Sequence, residues 1–230
     1  MHFIDKKNFS DNQELPQILL HTDFKKNKVL TTFGFRYTGF HMKIKTSIPL
    51  KTSEDLLIKR LQDKKTSSEA FKELLSLYKE RLYWHIRNMV KDHEDAHDVL
   101  QNTFIKIFRN IHNFKGESKL FSWMYRIATN ESISFLNKRA KRNHITSEDL
   151  QQQLISNLES DVYFEGDKIQ LKLQKAIASL PAKQQQVFNM KYFQELKYRE
   201  MSEILETSEG ALKASYHHAA KKIEEYLKTN

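Results

Sequence analysis

His93 and His97 stand four residues apart with Glu94, Asp95 and Ala96 between them, an H-E-x-x-H spacing. On a helix the two imidazoles share a face and could bind zinc, leaving Glu94 as the general base of a metalloprotease. The same residues also open an amphipathic helix. In it Ala96, Leu100, Thr103, Phe104, Ile107, Phe108 and Ile111 form one apolar stripe, with Asp98, Gln101, Asn102 and Ile105 left toward solvent. That pattern makes a docking surface and needs no metal. The zinc reading lacks a third ligand, because no downstream His or Glu stands in a recognisable arrangement, and His112 and His144 flank a loop and a basic tail.

The elements that must carry these residues are helices. Only 5 Gly and 3 Pro occur in 230 residues, too few for a strand-rich fold with many tight turns, and apolar residues recur mostly at three and four. A formal charge of +9 and an isoelectric point near 9.4 point to a polyanionic partner. Cys is absent, which removes disulfides and thiolate chemistry and suits a reducing cytoplasm. A mean hydropathy of −0.67 and the lack of any apolar run approaching about 18 residues exclude a membrane span.

Four segments follow from composition. Residues 1–50 are expected to be an extension that is disordered or foreign to the native protein: 31–40 has glycines and aromatics without helical period, and Met42 is a plausible translation start. Residues 51–140 read as a helical bundle. Thr52 or Ser53 can cap a helix carrying Leu57, Ile58 and Leu61, and Ser67 or Ser68 one carrying Phe71, Leu74, Leu75, Tyr78, Leu82 and Ile86. A last helix over 121–137 turns Met124, Ile127, Ala128 and Phe135 inward and is followed by Lys138, Arg139, Lys141 and Arg142, cations suited to a helix C-terminus and to phosphates.

Residues 141–167 are expected to be a flexible acidic linker, since 144–167 holds six Asp or Glu and no Lys or Arg. A coil of about 25 residues averages roughly 25 to 30 Å and extends to roughly 80 to 90 Å. Residues 168–230 form a second small helical domain. Pro181 suits a helix start, and Val187, Phe188, Met190 and Tyr192 supply apolar surface. A short helix with Tyr198, Met201, Ile204 and Leu205, a turn at Glu206, Thr207 and Ser208, and a long helix with Leu212, Tyr216, Ala219, Ile223 and Leu227 inward have helix-turn-helix spacing. The outward set Lys213, Ala214, His217, His218 and Lys221 can offer donors to a major groove.

Asp95-Ala96-His97-Asp98-Val99-Leu100-Gln101-Asn102-Thr103-Phe104, then Phe114-Lys115-Gly116-Glu117 and Phe121-Ser122-Trp123-Met124-Tyr125-Arg126-Ile127-Ala128-Thr129-Asn130, resemble region 2 of the extracytoplasmic-function (ECF) sigma factors. Leu180-Pro181-Ala182-Lys183-Gln184-Gln185-Gln186-Val187-Phe188 and Ser208-Glu209-Gly210-Ala211-Leu212-Lys213-Ala214-Ser215-Tyr216-His217-His218-Ala219 resemble region 4. The resemblance implies two all-α domains and a non-catalytic specificity subunit of RNA polymerase, with no cofactor or metal. Its implied partners are core polymerase, promoter DNA both duplex and melted, and an anti-sigma factor.

By that resemblance Asp98, Gln101, Asn102 and Ile105 dock on polymerase. The loop and following helix would capture an unstacked −10 base with Asn113, Lys115, Gly116, Ser118, Lys119, Ser122, Arg126, Asn130, Lys138 and Arg139, and Trp123 or Tyr125 could stack on it. Ser208, Glu209, Gly210, Lys213, Ala214, His217, His218 and Lys221 would read the −35 element. Three positions depart from the pattern: Asn102 where Glu is usual, Glu206 where a left-handed turn favours Gly, and Ala220 where Arg is common. Two rival readings are a zinc protease and an autonomous helix-turn-helix regulator with a helical sensor domain.

Overall fold

A computed structural model of the chain describes residues 50–159 and 168–229, so the expected N-terminal extension lies almost wholly outside the described residues. The first body has four helices: α1 (Leu50–Gln62), α2 (Ser67–Val90), α3 (His93–Asn110) and α4 (Leu120–Arg142), with a 3-10 turn at Ile111–Asn113. Leu61, Phe71, Leu74, Leu82, Ile86, Leu100, Phe104, Ile107, Met124 and Ala128 are buried together at its centre. Each Leu, Ile, Phe or Met among them contributes about 1.5 to 3 kcal/mol on leaving water. Phe71 meets Phe104 and Phe108 edge-on, with centroids 6.2 and 5.0 Å apart, which locks α2 to α3.

Local signals set the ends. The Asp92 carboxylate accepts from the Asp95 N–H at 2.9 Å and starts α3. Lys91 takes a left-handed conformation (φ 58°), and its N–H donates to the Arg87 carbonyl to finish α2. The expected caps fall differently. Ser53 lies inside α1, and the residue before α2 is Thr66, whose hydroxyl donates instead to the Arg60 carbonyl at 2.8 Å.

The acidic stretch expected to be coil contains α5 (Ser147–Glu159). Thr146 Oγ1 accepts from the Asp149 N–H at 3.1 Å, and Asp149 Oδ2 accepts from the Thr146 N–H at 3.1 Å, a reciprocal cap. Leu154 and Leu158 are buried one turn apart. Beyond it come α6 (Lys168–Ala178), α7 (Ala182–Tyr192), α8 (Tyr198–Leu205) and α9 (Glu209–Thr229). Ala176, Ile177, Leu180, Phe188, Ala219 and Ile223 make their small core, with Phe188 stacked on Tyr216 at 5.6 Å. Gln151 of α5 and Gln185 of α7 both donate to the Ala178 and Leu180 carbonyls at the end of α6, which a helix terminus otherwise leaves unpaired. Tyr192, expected to supply apolar surface, is 53% exposed, its ring stacked on Phe188 at 5.1 Å.

The two bodies pack on each other. Val187, Met190, Leu196, Met201, Ile204 and Leu212 are continuous with the buried cluster of the first body. Polar groups cross the same seam: Asn189 Nδ2 donates to the Asn88 carbonyl at 3.3 Å and Lys91 Nζ to Gln174 Oε1 at 3.2 Å. His85 bonds Thr129 Oγ1 at 2.8 Å through Nε2 and Gln194 Nε2 at 3.0 Å through Nδ1. Burial pushes the Lys91 ammonium down to about 7, aided by the Arg87 charge, and the His85 imidazole down to about 4.

Candidate nucleic-acid interface

The polar side of α3 is only partly open. Asp98 and Asn102 are exposed, Gln101 is half-buried, and Ile105, expected toward solvent, instead packs partly buried against the core. The histidine pair faces Tyr83. His93 Nδ1 bonds the Tyr83 hydroxyl at 2.7 Å, and the His97 ring lies 4.9 Å from the Tyr83 ring and 4.6 Å from that of His93. Burial, then the neighbouring His93 charge, holds the His97 imidazole below its ordinary value. Among the described residues no group of three or more His, Asp or Glu is arranged to hold a metal ion.

The loop before α4 exposes Asn113, Lys115 and Gly116, with Ser118 half-buried and Gly116 at φ 75°, a turn that L side chains adopt poorly. Glu54 of α1 accepts from the Leu120 N–H at 2.8 Å, so a carboxylate that pattern reading overlooked fixes the start of α4. Phe114 and Trp123 pack at 5.2 Å and wall one side of this loop. Asn130 and Lys138 are exposed.

Several expected strand contacts are otherwise engaged. Ser122 is 1% exposed and its hydroxyl has no hydrogen-bond partner, because the first turn of α4 turns Leu120, Phe121, Ser122, Met124 and Tyr125 into the core. Tyr125 cannot present a face to a base: it is buried, its hydroxyl donates to the Arg81 carbonyl at 3.3 Å, and burial pushes its phenol up to about 12. Arg139 pairs with Asp95 at 2.5 Å, tying α4 to α3. Burial, then the Asp92 charge, raises the Asp95 carboxyl above its ordinary value, and Arg139 opposes them. Lys119 donates to Glu200 at 3.0 Å and Arg126 to Glu206 at 3.1 Å, both carboxylates belonging to the second body.

The helix-turn-helix geometry is explicit in α8 and α9. Glu206 closes α8 at φ 51° and ψ 41°, the left-handed conformation expected at this turn. It costs about 1 kcal/mol for a residue with a Cβ. Ser208 Oγ accepts from the Ala211 N–H at 3.3 Å, so it caps α9. Leu212, Ala219 and Ile223 are buried, whereas Glu209, Gly210, Lys213, Ala214, His217, His218 and Lys221 are exposed. Both histidines stand free of the core, with rings 6.0 Å apart, and the exposed Lys222 extends this basic face beyond the expected set. Lys213 Nζ lies 5.6 Å from the centre of the Tyr198 ring, a cation–π contact that steadies it.

The family model for Sigma-70 region 2 matches residues 74–142, and that for Sigma-70, region 4 matches residues 170–223. The ECF RNA polymerase sigma factor SigW of Bacillus subtilis is 30% identical over 184 residues, covering 76% of this chain and 98% of that relative. The RNA polymerase sigma-H factor of Pseudomonas aeruginosa is 27% identical, covering 74% of this chain and 92% of that relative. In fold the chain is similar to CnrH in complex with the cytosolic domain of CnrY (TM-score 0.57, 16% identity, 77% of this chain and 99% of that one). It is also similar to the sigma factor RpoE in complex with the anti-sigma factor NepR from Bartonella quintana (TM-score 0.54, 21% identity, 70% of this chain and 98% of that one).

Proposed function

The chain belongs to the ECF sigma factors, and from that premise we propose how its surfaces divide the work of promoter recognition. As such a factor it binds core RNA polymerase and directs transcription initiation at promoters, with −10 recognition by region 2 and −35 recognition by region 4. Asp98, Gln101 and Asn102 dock region 2 on polymerase, with Ile105 at the rim. Asn113, Lys115, Gly116, Ser118, Lys119, Arg126, Asn130 and Lys138 hold the melted −10 strand. Lys213, Ala214, His217, His218 and Lys221 enter the −35 major groove, with Ser208, Glu209 and Gly210 at the helix start.

One observation carries this division: α9 exposes Lys213, His217, His218 and Lys221 while burying Leu212, Ala219 and Ile223, on a different body from the basic loop at 113–119. Melting is favoured because unstacked bases gain protein contacts that duplex DNA cannot make. The protein contributes binding rather than bond chemistry, and it acts in the cytoplasm, where polymerase and DNA are. Among the described residues no helix is long and apolar enough to cross a membrane. The Bartonella quintana neighbour is seen with an anti-sigma factor, and we extend that class of partner to this chain.

The test separates the two sets of residues. Lys119→Ala with Asn130→Ala should reduce permanganate reactivity of unpaired −10 thymines while upstream footprinting persists. Lys213→Ala with Lys221→Ala should weaken the upstream footprint and shallow the salt dependence by about one unit for each phosphate no longer neutralised. The same defect from all four on duplex DNA without polymerase would replace this reading with an autonomous regulator.

A further inference from the structure

We infer that α1 is the template on which the −10 loop is set, with Glu54 and Gln62 as positioning residues that give the loop its base selectivity, an inference that rests on the −10 assignment above. Gln62 Nε2 donates to the carbonyls of Ile111 at 3.2 Å and Phe114 at 2.9 Å, where the chain enters the loop. The Glu54 carboxylate accepts from the Leu120 N–H at 2.8 Å, where the chain leaves it. One helix therefore grips both feet of the loop. No local group does the same for the start of α4: Lys119, the residue before it, makes no side-chain cap and has no acceptor to offer, so the open N–H groups of that helix end draw an anionic acceptor from α1.

The template is itself fixed. Leu57 and Leu61, between the two anchors, are 4% and 1% exposed in the core, and Arg60 pairs with Glu73 of α2 at 2.6 Å. From Glu54 to Gln62 is eight residues of helix, about 12 Å of axis, whereas the six links of chain from Phe114 to Leu120 can extend to about 20 Å. The surplus bulges outward. Phe114 and Leu120 are buried at the feet, and Lys115, Gly116 and Glu117 are exposed between them, with Gly116 at φ 75°. The same bonds set the apolar wall, because Phe114 packs on Trp123 at 5.2 Å and the Trp123 N–H donates to the Lys119 carbonyl at 3.1 Å, in the turn that Glu54 anchors. Reading a base edge needs donors and wall held to a fraction of an ångström, since hydrogen bonds weaken steeply off their geometry. Phosphate contacts from Lys115 and Lys119 carry no sequence information and tolerate movement. Loss of the anchors therefore costs selectivity before it costs affinity.

The experiment uses holoenzyme assembled from core polymerase and the full chain, with single strands of about 12 nucleotides from a promoter that it transcribes, each base replaced in turn by the other three. Gln62→Glu keeps the shape but turns the donor into an acceptor facing two carbonyls, and Glu54→Ala removes the acceptor. Each should reduce the affinity ratio between the preferred base and the others about three- to tenfold, the range of one ordinary hydrogen bond. Affinity for strands carrying a non-preferred base should change less than about twofold. Glu54→Gln keeps an oxygen for the Leu120 N–H and should retain most of the ratio, and Asp55→Asn, at an exposed neighbour on α1, should retain all of it. Circular dichroism melting checks that each variant is folded at the assay temperature, and Gln62→Ala replaces Gln62→Glu if the introduced charge unfolds it. A body that was merely loosened would bind every strand more weakly at an unchanged ratio, and that result would overturn the proposal. So would an unchanged ratio with affinity intact. Lys115→Ala with Lys119→Ala locates the fault: if these do not weaken every strand, the −10 assignment itself has failed and the proposal falls with it.

Discussion

Asp98 and Asn102 extend from α3 without helping to hold it in place, so they can be changed without disturbing the core. Asp98→Arg with Gln101→Ala should weaken core-polymerase binding by about tenfold or more in a pull-down titration while circular dichroism stays helical, since reversing a charge at an interface rim disfavours encounter. An unaltered affinity would remove α3 from the docking assignment. His85 tests the seam through pH. In the folded chain burial holds it to about 4 among Thr129, Gln194 and the Tyr125 ring, whereas unfolded it titrates near 6.5. The unfolded chain then binds more protons between those values, so this residue makes stability fall as pH drops from about 6.5 to 4. The fall in melting temperature over that window should be shallower in His85→Gln than in the parent. At this scale the apolar stripe of α3 was legible because spacing alone determines which side chains share a face. Ser122 and Arg139 were not, because a side chain's type does not reveal whether its turn faces the core or which partner lies 44 residues away.

Among the elements, the turn between α8 and α9 could be read from chemistry: a residue must go left-handed there, and Glu206 does. Glu195 adopts the same conformation at φ 53°, exposed, between α7 and α8. Glu195→Gly should relieve up to about 1 kcal/mol of strain, raising the melting temperature by about 2 to 4 °C at most, less what glycine's extra freedom in the unfolded chain takes back. A lower melting temperature would mean that the side chain contributes more than its backbone strain costs. Helix α5 was the main misreading of sequence. Its signals were present, with Thr146 and Asp149 as a cap and Leu150, Leu154 and Leu158 at helical spacing, but the lack of Lys and Arg suggested coil. Leu158→Ala, at a site only 1% exposed, should cost about 2 to 5 kcal/mol and accelerate amide hydrogen exchange through α5 before the rest of the molecule.

At the scale of the whole molecule, the all-helical character and the two similarity blocks were plain from composition and motif. Their packing was not, because Met201, Ile204 and Leu212 satisfy a helix-turn-helix core and the neighbouring body with the same apolar faces. Burial of Lys91 adds a linkage: with its ammonium held near 7 in the folded chain against about 10.5 in water, the unfolded chain binds more protons between those values, so this residue makes stability rise as pH rises through them. Helix α5 has a consequence for DNA geometry. While Gln151 holds it to the carbonyls of Ala178 and Leu180, α5 moves with region 4, and only residues 143–146 are left to stretch, about 17 Å across five steps of chain. One turn of B-DNA is about 34 to 36 Å. The spacer between promoter elements is therefore measured by a rod with a short hinge while α5 stays attached, and by a loose string once it peels away. Gln151→Ala should relax that measurement, so that transcription from templates with the spacer lengthened or shortened by one or two base pairs declines less steeply than it does with the parent.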